Sequence, residues 1–197
     1  MGGYGLMRRH ASLINFIRLQ INSFPRVKVT SQVAVTFFIR YNRPMSKLIP
    51  MTQTEYDAFL ERSIPEYAAD HVRTGHWLES ESLEKSRKEF EELLPQGLNS
   101  EDNFLYTLVD GDEAIGMTWV KAKTHPSKSG FIYDVFIEEK HRGKGYGKQL
   151  MLLLEEKARE MGLKSLSLHV FGFNHVARKL YESIGYETTN VMMSKVL

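Results

Sequence analysis

Between Ile132 and Leu150 the chain reads I-Y-D-V-F-I-E-E-K-H-R-G-K-G-Y-G-K-Q-L: an apolar run, a basic turn, and the start of a helical pattern. Gly143, Gly145 and Gly147 alternate with Lys144 and Tyr146 in that turn. Glycines at a strand-to-helix turn let the backbone approach a ligand and aim several N–H groups at one spot, where the helix macrodipole adds positive potential. The chemistry expected is capture of a phosphate or pyrophosphate, with Arg142, Lys144 and Lys148 adding full charges. A tight connection with no ligand is the alternative. Neither G-x-G-x-x-G nor G-x-x-x-x-G-K-[ST] occurs here, which argues against a dinucleotide fold and a P-loop NTPase.

The elements that would carry this turn follow from pattern. Lys47 to Met51 reads as a short strand, and Thr52 with Glu55 forms a capping box opening a helix to about His71. A second, acidic helix spans about Ser82 to Leu94. Phe104 to Val109 and Ala114 to Ala122 flank Asp110-Gly-Asp112, a hairpin signal. Gly130 to Glu138 reads as a strand and about Gly145 to Met161 as a helix. Leu163 to Phe171 is a strand, Asn174 to Ile184 a helix, and Tyr186 to Val196 a last strand. This order implies an α/β protein with one mixed, mostly antiparallel sheet, a right-handed parallel β-α-β crossover and helices on both faces.

The 197 residues are 42% hydrophobic and 25% charged, which suits one ordinary soluble domain. Cysteine is absent, so a disulfide framework, a thiolate metal site and a cysteine nucleophile are excluded, and a cytoplasmic setting is expected. The histidines lack metal-ligand spacing, so no metal is expected, and no apolar run has the length of a membrane span. The net charge of +2 is unevenly distributed. Residues 1–44 carry seven bases and no acid, whereas 55–113 carry sixteen acids against five bases. The first segment reads as a basic, non-native or disordered extension, with a transit peptide or a nucleic-acid-binding arm as alternatives. Residues 45–197 read as the domain.

The turn Arg142-G-K-G-Y-Gly147 reads R-x-x-G-x-G, and Asn174-H-V-Ala177-R-K-Leu180-Tyr181-E-S-I-Gly185-Tyr186 forms a second block. The two, in this order and on these elements, resemble the GNAT superfamily of acetyl-CoA-dependent N-acetyltransferases. The resemblance covers about Met45 to Leu197. It implies a GNAT-like fold and pyrophosphate on the amides of Arg142, Gly143, Lys144, Gly145, Tyr146, Gly147 and Lys148. It also implies pantetheine along the main chain of Val135, Phe136 and Ile137, between two splayed strands.

By the same resemblance, Asn174 contacts acetyl-CoA, although N-capping of its helix is an equal reading. Tyr181 takes the place of the tyrosine that protonates the leaving thiolate; otherwise it packs a helix face. For the base, His169 ranks first and Asp134 second, with water as an alternative. The transfer implied goes directly to a primary amine of a small molecule, peptide or protein. The acidic stretch suggests a cationic acceptor, or a solvated helix face; Tyr56, Tyr67 and Trp77 are candidates to line the pocket or the core. A non-catalytic acyl-CoA-binding module of the same fold is the competing reading. A homodimer is left open as the assembly.

Overall fold

The computed structural model describes residues 46–123, 126–193 and 195. The basic segment 1–44 lies outside the described residues. Lys47–Pro50 forms β1 and leads into α1, Gln53–Arg73. The capping box forms as the sequence predicts: the Glu55 N–H donates to Thr52 Oγ1 at 3.4 Å, and the Thr52 N–H donates to Glu55 at 2.7 Å. Pro65 interrupts the α1 hydrogen-bond ladder, and nearby the buried Ser86 hydroxyl of α2, Glu79–Leu93, donates to the Ile64 carbonyl at 2.7 Å. α2 begins a turn earlier than its spacing suggests, because Glu79 and Glu81 complement the helix dipole in its first turn.

Strands β2 (Asn103–Asp110), β3 (Glu113–Lys123) and β4 (Ser129–Ile137) follow, then α3 (Tyr146–Glu160), β5 (Ser165–Leu168) and α4 (His175–Glu182). The sheet order is β1-β2-β3-β4-β5, antiparallel except for the β4–β5 pair, which α3 connects. This is the expected mixed sheet with its crossover.

The two faces are covered by different helices. Leu150, Met151 and Leu154 of α3 pack with Leu108, Ile115, Val120 and Ile132. On the other face Phe59 and Ile64 of α1 and Phe90 of α2 pack with Leu105, Met117 and Trp119. Trp119 is 2% exposed, and its indole N–H donates to Asn103 Oδ1 at 2.8 Å, so the ring is buried without a stranded donor.

The strand expected from Tyr186 to Val196 does not form among the described residues: 186–193 carry no regular structure. β-propensity expresses packing against a neighbouring strand. Here Val191, Met192 and Met193 pack on little, being 73%, 77% and 89% exposed. No helix of the described residues is long and apolar enough to cross a membrane.

Candidate active site

The glycine turn has the expected form. Gly143 and Gly145 adopt φ of 72° and 87°, a region that L side chains rarely enter, and Gly145 caps α3. The Gln149 N–H donates to the Gly145 carbonyl at 3.1 Å. The amides of Gly143, Lys144, Gly145, Gly147 and Lys148 before it have no hydrogen-bond partner among the described residues. Helix geometry leaves such N–H groups exposed at the positive end of the dipole.

Side chains brace the turn from outside. Arg142 Nε donates to the Ile137 carbonyl at 2.9 Å, and Lys144 Nζ to the Lys140 carbonyl at 2.7 Å. Tyr146 is buried, and its hydroxyl donates to Asp110. Gly147 has a packing reason: a Cβ there would lie 3.2 Å from Leu180 Cδ2 and 4.0 Å from Ile137 Cγ1. The start of α3 therefore sits against both the end of β4 and α4.

β4 and β5 pair only from Ser129↔Ser165 to Ile132↔Leu168. Beyond that point β4 keeps β3 on one side and, among the described residues, has no strand on the other, and Val135, Phe136 and Ile137 are half-buried along this open edge. The divergence coincides with a bulge. Trp119 pairs with Asp134 and Val120 with Ile132, so Tyr133 is an extra residue. Tyr133 stacks on Trp119 with ring centroids 4.4 Å apart. Asp134 Oδ2 accepts from Ser63 Oγ at 3.1 Å and Arg62 at 3.2 Å. Both side chains thus face α1, where strict alternation would separate them.

Arg62 is held on several sides. It reaches Glu66 at 2.9 Å and Met117 Sδ at 3.2 Å, and its guanidinium lies 3.7 Å above the Phe136 ring. Asp134 Oδ1 makes no hydrogen bond among the described residues. Tyr181, on α4, packs against the α3-side core. Burial and then the negative charge of Asp134 push its hydroxyl up to about 12, so it stays protonated at neutral pH.

His169 lies just past β5, exposed, edge-on to Phe171 at 5.0 Å. Asn174 Oδ1 accepts from the Ala177 N–H at 3.1 Å, the capping role weighed for it. Tyr56 is core, whereas Tyr67 and Trp77 are half-buried. Among the acids of α2, Glu81 pairs with Lys85, Glu92 with Lys88, and Glu89 accepts from the Tyr67 hydroxyl at 3.0 Å.

The acetyltransferase (GNAT) family profile matches residues 69–186. The chain belongs to the GNAT acetyltransferase family. Among its relatives is the uncharacterized N-acetyltransferase YycN of Bacillus subtilis, 41% identical over 152 residues, or 76% of this chain and 97% of YycN. The uncharacterized N-acetyltransferase YdgE of B. subtilis is 38% identical over 149 residues, covering 75% and 95% of the two chains. The crystal structure of YycN superposes with a TM-score of 0.74 at 40% identity, covering 77% of this chain and 98% of that one.

GNAT proteins normally use acetyl-CoA, and in this GNAT domain a set of unpartnered amides lies beside the open β4 edge. Among the described residues no cluster of His, Asp or Glu could hold a metal ion. Sequence reasoning missed Arg62, Ser63 and His71. Ser63, Tyr67 and His71 recur at a spacing of four along α1, a stripe the sequence does carry, but its target on β4 is 71 residues away from Ser63.

Proposed function

We propose that this GNAT domain is an acetyl-CoA:amine N-acetyltransferase. The observation that carries the reading is the adjacency of the unpartnered amides of Gly143, Lys144, Gly145, Gly147 and Lys148 to the open edge of β4, with Tyr181 on the helix packed against both. The amides bind the pyrophosphate, and the main chain of Val135, Phe136 and Ile137 pairs with the pantetheine and polarises the thioester carbonyl. Acetyl-CoA supplies the activated acyl group. Direct attack by a neutral amine on that carbonyl requires no enzyme nucleophile, in keeping with a chain that has no cysteine.

Two proton movements fall to side chains. Tyr181, protonated at all physiological pH, donates to the departing sulfur. Asp134 orients the incoming ammonium through its free Oδ1 and accepts its proton directly or through water. We prefer it to His169 because Asp134 lies on the open segment of β4 and its charge reaches Tyr181, whereas His169 is exposed beyond β5. Asn174 holds α4 in place and retains an amide NH2 for the co-substrate.

The test is turnover of acetyl-CoA with primary amines, followed by free-thiol release and by the product's mass. Amine-dependent release with an added acetyl mass is expected. Tight acetyl-CoA binding without turnover of any amine would instead favour the non-catalytic module.

A further inference from the structure

Ring contacts run unbroken from β4 to the segment after β5. Phe131 meets Tyr133 edge-on at 4.8 Å, and Tyr133 stacks on Trp119. Trp119 meets Phe90 at 5.8 Å, and Phe90 meets Tyr67 at 6.0 Å. Tyr67 contacts His71 at 4.5 Å and Trp77 at 5.6 Å, and His71 stacks on Trp77 at 4.0 Å. His71 also touches Phe171 at 5.7 Å, which stacks on Phe173 at 5.4 Å.

The underside of this chain, Trp119 and Phe90, is buried core. The upper side is not: Phe131 and Tyr133 are 36% and 39% exposed, and Tyr67, Trp77 and Phe171 are half-buried. Aromatic rings left half open above one buried aromatic layer mark a binding surface, since each could bury a large area on a ligand. The patch adjoins the reacting centre, because Tyr133 precedes Asp134 and shares its face. Tyr67 lies one helical turn from Ser63, which holds Asp134.

Of the acids nearby, Glu81 and Glu92 are paired with lysines on their own helix, Glu89 accepts from Tyr67, and Asp70 acts on His71 through its charge. Asp134 Oδ2 meets Arg62 and Ser63, and Oδ1 makes no hydrogen bond among the described residues. An ammonium at that oxygen leaves the rest of the acceptor beside the rings, which suits a flat apolar body.

Resting on the amine-transfer reading above, we infer that the acceptor is a primary amine carrying an aromatic group, its ring on the Tyr133, Tyr67, Trp77 and Phe171 surface and its ammonium at Asp134. Polyamines and plain alkylamines cover this surface poorly.

The experiment compares 2-phenylethylamine and tryptamine with n-butylamine and spermidine at saturating acetyl-CoA. The aromatic amines are expected to exceed n-butylamine by about tenfold in kcat/KM, mainly through KM. Tyr133→Ser and Phe171→Leu should each shrink that preference by about two- to tenfold while acetyl-CoA affinity, which reports folding, is retained. Equal or better turnover of spermidine or n-butylamine by the wild type overturns the inference and leaves N-acetyl transfer standing. So does a preference that neither substitution alters. If no amine is acetylated but the aromatic amines quench tryptophan fluorescence and the alkylamines do not, the aromatic surface stands and the transfer reading falls. Neither turnover nor quenching sinks both.

Discussion

Gly145 and Gly147 occupy the same turn for different reasons, and substituting each by alanine separates them. At Gly145 the backbone sits at φ of 87°, and an added Cβ would meet no protein atom within 4 Å. The cost is therefore conformational, about 1–2 kcal/mol for an L residue in the left-handed region. For a domain of this size that lowers Tm by about 2–8 °C. The added methyl meets open space at the turn whose amides bind the pyrophosphate in the proposed site. Losing one charge-assisted hydrogen bond to the pyrophosphate costs about 1.5–3 kcal/mol, a rise in the acetyl-CoA Kd of about ten- to a hundredfold. At Gly147, inside α3, alanine gains up to about 1 kcal/mol of helix propensity. The 3.2 Å approach to Leu180 Cδ2 opposes that gain, and this flexible side-chain end can yield by a few tenths of an ångström. The net change in stability is about zero and the Kd changes by less than about threefold. Thermal denaturation and titration calorimetry with acetyl-CoA measure both quantities. If Gly147→Ala abolished binding at unchanged stability while Gly145→Ala bound normally, the assignment of Gly147 to packing and of Gly145 to the ligand side would be wrong.

Tyr181→Phe should reduce kcat by about 10²–10⁴-fold with little change in acetyl-CoA affinity, the span ordinary for a lost general acid. Because the hydroxyl titrates at about 12, the wild-type rate should show no alkaline limb from Tyr181 below about pH 11; a limb near pH 9 that vanishes in the variant would refute this. Burial, assisted by His76 and His169 against Glu89 and Asp70, holds the His71 imidazole below its ordinary value. The unfolded chain then binds the proton first, so the stability His71 contributes is present above about pH 6.5 and is lost as pH falls through its lowered folded value. Urea titrations at pH 7.5 and pH 5 should show that loss, reduced in His71→Phe. Thr52→Ala removes one side of the capping box and should cost about 1 kcal/mol in urea denaturation, with no change in acetyl-CoA affinity.

Signals confined to a few neighbouring residues were legible in the sequence. The capping box at Thr52, the hairpin at Gly111, the left-handed glycines before α3 and the Asn174 cap each depend on contacts spanning a few positions. Features that depend on register were not legible. The Arg62–Asp134 contact joins residues 72 apart, and no local pattern announces it. The strand expected after Tyr186 had suitable residues, but strand formation also requires a neighbouring edge. The acidic stretch suggested either a cationic acceptor or a solvated helix face, and its count alone does not show that Glu81 and Glu92 sit four residues from the lysines that pair with them on one helix. Aromatic residues scattered from Tyr67 to Phe173 carry no shared signature until the sheet brings them together.

The extra residue in β4 has a consequence for how the protein can change. Phe131, Asp134 and Phe136 lie toward α1, while Ile132, Val135 and Ile137 belong to the opposite core. Take Tyr133 away and those six residues alternate without a break. Tyr133 is thus an insert between two segments that share one reading frame, and removing or replacing it leaves the carboxylate and the open edge in phase. An acceptor-facing ring can be exchanged at this position independently of the residues that bind the acyl donor, so selectivity can drift while the chemistry stays in register.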